Sequence, residues 1–590
     1  MTKRTIIHIN VPALARVEGE GALDVAIQDG AIQQLQLRIY EPPRFFEKLL
    51  EGRDYSEVPD IVARICGICP VAYQMSATQA LESIFNVPVS PWIEDMRRVM
   101  YCGEWIQSHS LHIHLLAAPD FLGCNSIVEL AQKAPQVAQR GLHLQALGNK
   151  LIALCGARSV HPMGVRVGGF SHAPAPEKVR TLVKELEQAL PEAEALVRWT
   201  ASLELPDEQH DFTCVALRHE HDYPMNHGRL LSTRGLDIGI EEFEQHFTEQ
   251  HVPHSTALHC LLNGEPYLLG PLARLNLNAD QLPQATQALL QEIGFALPTY
   301  NMFHSIIARA IEIHAALVEA IRLLQDYATP STPLLEVNTC AGTGFGCTEA
   351  PRGLLWHQYS TDEQGHISYA RIVPPTSQNQ ARIEQDLHDS LTAFGLDKQV
   401  DALRLHGEKV IRNYDPCISC ATHFLKLNLN QHTPVTEKNT SAAKSHWRII
   451  GTGSPTVADQ LGWEVIDDLR AHAVMQQLSG IELISLDRPG MKLLDYLDTD
   501  AGVIIIDAIT ADAEAGRLLH LQAASIEASA APTSSHELGV AEVLALARQL
   551  DKPLAHVQIL GLVRGESEQP WPAAQRQALI DAVLDCVSSK

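Results

Sequence analysis

Two short cysteine motifs, about 350 residues apart, constrain this chain more than any other feature. Cys66 and Cys69 stand in RICGIC, and Cys417 and Cys420 in DPCISCATH. A fold that brings these four side chains to one point makes a thiolate site, which selects soft and borderline metal ions over magnesium or calcium. A zinc ribbon usually places its second pair within about twenty residues of the first. The long gap weakens a zinc reading but leaves it open. A thioredoxin-type CxxC follows a strand in a βαβ unit, a context that neither pair shows clearly.

At 590 residues the chain exceeds what one core usually supports, so two or more domains are expected. Its 45% hydrophobic and 19% charged residues are those of a globular protein, not a disordered one. A formal charge of -25 argues against sequence-independent binding to nucleic acid or anionic membranes, both of which need a basic surface. Apolar runs stay short of the roughly 18 residues that suggest a spanning helix. The opening MTKRTIIHINVPALARVEG lacks the pattern of a secretory signal. Twelve scattered cysteines do not form a disulfide framework, so a reducing setting is expected. The eight outside the two motifs (102, 124, 155, 214, 260, 340, 347 and 586) are expected to be packing residues.

Period-two stretches and an Asp-Gly step between residues 5 and 40 predict a small N-terminal antiparallel sheet. Long segments with apolar residues every three or four positions, such as IEDMRRVMYCGEWIQSHSLHIHLLA and SIIARAIEIHAALVEAIRLLQDY, predict a mainly helical body. After Leu427 the polar stretch NLNQHTPVTEKNTSAAKS has neither periodicity and reads as a linker. Beyond it, short runs such as HWRIIGTG, GVIIIDAI and AHVQILGLV alternate with helical patterns, as in an α/β open sheet. The expected organisation is therefore an α+β, mainly helical domain over 1–427, a linker over 428–446 and an α/β domain over 447–590.

The flanks of both cysteine pairs resemble those of the large subunit of nickel-iron hydrogenases. So do RVEG (16–19), PRFFEKLLEGRD (43–54), HPMGVRVGGF (161–170), YLLGPLARLN (267–276), EAPRG (349–353) and IVPPTSQN (372–379), in family order. The resemblance implies a nickel-iron centre with cyanide and carbon monoxide on the iron. Cys66 and Cys417 match the terminal nickel ligands, and Cys69 and Cys420 match those bridging to iron. Glu18 matches a glutamate that relays a proton, and Arg352 an arginine that donates to a cyanide. Thr376 matches a second cyanide partner, and Glu47 and His423 match residues around a structural magnesium. One departure is Tyr73, where many relatives carry histidine. Tyrosine can donate a hydrogen bond but carries no positive charge near neutral pH.

EPPRFFE and PPTSQNQ look most like the cytoplasmic bidirectional branch that exchanges electrons with NAD or NADP. That implies an iron-sulfur small subunit and flavin-containing reductase subunits as partners, with metallocentre assembly factors during maturation. In the family, the precursor is cut after the histidine matching His423. Here 167 residues follow it (590 minus 423), and they resemble the nickel-dependent peptidases that make that cut. Asp459 in GTGSPTVADQLGW, Asp507 in IIIDAI and His536 in SSHELGVAEVLAL match the peptidase's nickel-sensing ligands. Ala458 stands where many relatives have a further aspartate. The roughly 23 residues between His423 and Trp447, if flexible, span about 25 Å, enough for the second domain to fold back on its own cleavage site. The expected function is reversible dihydrogen cleavage. The alternatives are a non-catalytic scaffold like the related quinone-reductase subunit, disfavoured by the four thiols, or a mainly proteolytic maturation factor.

Overall fold

The computed structural model describes residues 6–124 and 126–422, then 447–453, 460–472, 474–475, 478, 480–487, 493–497, 501–509, 514–523, 540–549, 554, 556–563 and 571–588. The expected linker, 428–446, lies outside them. The chain divides into two compact units, residues 1–124 with 136–428, and residues 125–135 with 429–590.

The first unit opens with an antiparallel sheet of Ile6–Val11, Gly21–Gln28 and Ala31–Ile39 in sequential order. Asp29 and Gly30, both at positive φ (52° and 79°), make its second turn. The body is helical, with Pro70–Phe85, Pro91–Leu111, Pro135–Gly156, Pro176–Ala201 and Ser305–Gln325 as its long members. The helix Pro91–Leu111 runs on into a π-helical segment, His112–Ala117. A second antiparallel sheet, Gly342–Ala350, Gly353–Thr361 and Ile367–Val373, lies against Pro70–Phe85. Its first strand can approach that helix because Gly346 is bare there. A Cβ on Gly346 would stand 2.0 Å from the Ser76 carbonyl oxygen.

The second unit contains a five-stranded sheet in the order Ile481–Asp487, Trp447–Gly453, Gly502–Ile509, Val557–Val563, Leu518–Gln522. The first four strands are parallel and the last is antiparallel. Ile449, Ile504, Ile506, Leu560 and Leu562 form its core with Leu461, Val465, Ile466 and Leu469 of the helix Leu461–Ala471. Gly451 and Gly462 let strand and helix touch, since a Cβ on Gly451 would lie 2.1 Å from the Gly462 carbonyl oxygen.

Candidate metal centre

The first cysteine pair is fixed by the start of a helix. Cys69 is the N-cap of Pro70–Phe85, and Pro70 supplies the preset backbone angle favoured at the first helical position. Two orphan amides of that first turn, Val71 and Ala72, donate to the buried Glu104 carboxylate at 2.6 and 3.1 Å. The amides of Ile68 and Cys69 donate to Cys66 Sγ at 3.3 and 3.2 Å.

The second pair follows the helix Val400–Tyr414, which ends at Asp415 in the left-handed conformation (φ 53°). Three elements hold the segment beyond it. Glu18 forms an isolated parallel bridge with Cys417, and its carboxylate accepts the Ser419 amide at 3.1 Å. Thr376, in the first turn of the helix Pro375–Phe394, accepts the Cys417 amide on its hydroxyl at 3.0 Å. Arg44 donates to the carbonyls of Ile65 (2.7 Å) and Ser419, joining the two cysteine segments directly.

These anchors place the four sulfur atoms within 4.8 Å of one another, all buried. Cys66 to Cys417 is 3.5 Å, Cys69 to Cys420 is 3.7 Å and Cys417 to Cys420 is 2.7 Å. Burial opposes ionisation of all four thiols. Only Cys66, hydrogen-bonded by the other three and facing Arg352, is held well below its ordinary value, while Cys69, Cys417 and Cys420 are pushed up. Four converging thiols suit a thiophilic metal that displaces their protons.

Arg352 sits in the two-residue turn between the strands Gly342–Ala350 and Gly353–Thr361. Its Nε donates to the Asp415 carbonyl at 2.6 Å and its Nη2 to the Asp415 carboxylate at 2.9 Å. Burial opposes its charge, but Asp415, Cys417, Cys69 and Cys66 hold it above the usual guanidinium range. The buried Nη1 has no hydrogen-bond partner in the protein. The turn is braced by Arg274, which donates to the carboxylate of Glu349 and the carbonyls of Ala350 and Pro351 at 2.9 to 3.0 Å. Glu312, also fully buried, takes the rest of the Arg274 fork and the imidazole of His109.

Thr376 and Glu18 thus stand beside the second cysteine pair, and Arg352 interacts with both pairs. Glu47 accepts the Ile372 amide at 2.7 Å, and burial pushes its carboxyl up to about 8. The Tyr73 hydroxyl is buried without a partner, and burial followed by the neighbouring thiolates raises its pKa further. Its ring lies 5.7 Å from that of His357. In the second unit Asp507 lies on the strand Gly502–Ile509, one residue past the Ile506–Gly451 pairing. His423, Asp459 and His536 lie outside the described residues. Of the other eight cysteines, 102, 124, 155, 214, 260 and 347 are buried, while 340 and 586 are partly exposed.

Sequence reasoning did not single out Glu41, Arg44 or Glu104, and used Asp415 only as part of the DPCISCATH flank. Glu41 accepts the Ser419 hydroxyl at 2.9 Å, and its pKa is raised by burial and then by Glu18. Arg44 lies in the quoted segment PRFFEKLLEGRD, and its charge was the available signal. Glu104 carried none, being one acid within an amphipathic helix.

Comparison with known proteins extends beyond these residues. Residues 44–142 and 261–423 match a family described as nickel-dependent hydrogenase, and residues 466–583 match one described as hydrogenase maturation protease. The chain is 32% identical over 429 residues to sulfhydrogenase 1 subunit alpha of Pyrococcus furiosus, covering 72% of this chain and 100% of that one. It is 27% identical over 462 residues to the NAD-reducing hydrogenase HoxS subunit beta of Cupriavidus necator, covering 70% and 94%. A solved NAD+-reducing [NiFe]-hydrogenase in the H2-reduced state superposes with a TM-score of 0.64 at 27% identity, covering 72% of this chain and 100% of that one. The chain therefore belongs to the nickel-dependent hydrogenase family, as a large subunit that also carries a hydrogenase maturation protease domain.

Proposed function

We propose that Cys66, Cys69, Cys417 and Cys420 hold a nickel-iron centre at which this chain interconverts dihydrogen with protons and electrons. The convergence of four buried thiols within 4.8 Å carries this reading. When bound, the centre, with cyanide and carbon monoxide on iron, supplies the open coordination position for heterolytic cleavage. Cys66 and Cys417 would hold the nickel, and Cys69 and Cys420 would hold nickel and iron together. Cys417 Sγ receives the proton, and the Glu18 carboxylate, held against the next turn of backbone by the Ser419 amide, carries it away. Arg352 Nη1 fits the role of donor to a cyanide, being buried beside the thiols with no protein acceptor. The Thr376 hydroxyl, which uses a lone pair for the Cys417 amide, keeps its proton for a second such ligand. Glu47 and His423 are assigned to a magnesium ion, whose charge would hold the buried Glu47 carboxylate ionised.

Electrons leave through a partner iron-sulfur small subunit, since the four assigned thiols form the only cysteine cluster of three or more among the described residues. Flavin-containing partner subunits pass them to NAD or NADP, a reading supported by the likeness to NAD-reducing relatives. No described helix is long and apolar enough to cross a membrane, and a cytoplasmic location suits a nucleotide-linked enzyme. The protease domain is proposed to cut after His423, sensing nickel through Asp459, Asp507 and His536. In its favour, Asp507 stands near the C-terminal end of its strand where strand order reverses, the usual binding crevice of an open α/β sheet.

Hydrogen-dependent dye reduction by the anaerobic assembled complex tests the main reading. The wild-type complex reduces the dye and Cys417→Ser abolishes this. A metal-loaded wild-type complex without activity would overturn it, as would full activity in the variant.

A further inference from the structure

We propose a second metal site in the first unit, built from His254, His259 and Glu384, that binds one divalent zinc-type ion with water in the remaining position. His254 lies in the connection between the paired strands Phe247–Gln250 and His259–Leu262, and His259 opens the second strand opposite Gln250. Glu384 projects from the helix Pro375–Phe394. One ligand atom from each of the three lies within 4.8 Å of the others. His254 Nε2 is 2.8 Å from Glu384 Oε1. The two imidazoles are 5.8 Å apart and nearly perpendicular (84°), so they do not stack.

His259 supplies an independent sign of a missing ligand. It is 3% exposed, yet its Nε2 is buried with no hydrogen-bond partner. Buried polar atoms are normally satisfied, and here the orphan nitrogen belongs to a ring that reaches a carboxylate and a second imidazole.

The donor set selects the ion. Two imidazole nitrogens and one carboxylate suit zinc and its neighbours, whereas magnesium and calcium prefer all-oxygen shells. Glu384 Oε1 also accepts the Leu37 amide at 2.8 Å, an outer hydrogen bond of the kind that orients a metal-binding carboxylate. The His254 and Glu384 side chains are 16% and 19% exposed, so solvent reaches the cluster. Such an ion would clamp the 251–258 connection and the N-terminal sheet to the helix whose first turn holds Thr376. Glu384 is eight residues further along that helix, about 12 Å away. The site is distinct from the thiol cluster and stands whether or not that cluster holds nickel and iron.

The test uses the full chain, wild type and the variants His254→Gln and Glu384→Gln, with zinc ion as the probe. Wild type should take up one more equivalent of zinc than either variant, and added zinc should raise the thermal midpoint of wild type alone. Cobalt substituted for zinc should give visible bands of a nitrogen- and oxygen-ligated tetrahedral ion, absent from both variants. Hydrogen-dependent dye reduction should be unchanged in His254→Gln. Equal zinc uptake in all three proteins would overturn the proposal, as would the same midpoint shift in all three. Both variants alter partly exposed side chains, and equal midpoints before zinc addition establish that they fold like wild type.

Discussion

Glu18 and Ser419 are joined by a 3.1 Å hydrogen bond from the Ser419 amide to the Glu18 carboxylate, across 401 residues of sequence. The bond places an almost fully buried carboxylate against the segment of the second cysteine pair, where the proposed proton transfer would use one. Glu18→Gln keeps an oxygen to accept that amide but removes the group that can take up a proton. Hydrogen-dependent dye reduction should fall by about 100-fold or more while nickel content stays constant. Unchanged turnover would assign the proton path elsewhere.

Arg352→Lys should be far from conservative. A lysine keeps the charge but cannot reproduce the fork that reaches both the carbonyl and the carboxylate of Asp415. Losing a buried hydrogen bond between charged groups costs about 1.5 to 3 kcal/mol. The unfolding midpoint of the first unit should drop accordingly, and activity should fall even in chains that still bind metal.

His210 gives a pH dependence with a defined sign. Burial alone would lower its pKa, but Asp386 at 3.3 Å and Glu208 at 3.2 Å raise it to about 9. The raised value means that the folded state binds the proton more tightly than the unfolded chain. This stabilisation is complete below about pH 6.5 and is lost as the pH rises through about 9. Thermal midpoints of wild type should decline across that interval, and the His210→Gln protein should show a flatter profile.

For the protease domain, intact-mass measurement on nickel-replete chain should reveal a new terminus after His423. Asp507→Asn should leave the full-length chain uncut. A wild-type chain that stays at 590 residues while active would mean that cutting is dispensable.

Much of this was legible in the sequence because the informative residues sit in short local patterns. The cysteine flanks, RVEG and EAPRG carry their neighbours with them, and the apolar spacing of residues 91–111 and 305–325 specifies the helices found there. What escaped was tertiary. Glu104 meets Val71 and Ala72 only because two helices cross, and Arg274 reaches Glu312 and Glu349 from separate elements. The grouping of His254, His259 and Glu384 likewise depends on a strand pair lying against a helix 120 or more residues further along the chain. The π-helical stretch 112–117 has the same apolar periodicity as the α-helix before it and gives no local signal.

The most direct measurement is nickel-edge X-ray absorption on the anaerobically purified, matured complex, wild type and Cys417→Ser. If the four thiols hold the metal, wild type has one nickel per chain with a sulfur-dominated coordination shell. Cys417→Ser then loses nickel or exchanges one sulfur neighbour for oxygen. Nickel with a nitrogen and oxygen shell in wild type, or an identical spectrum in the variant, would contradict a nickel-iron centre at these cysteines.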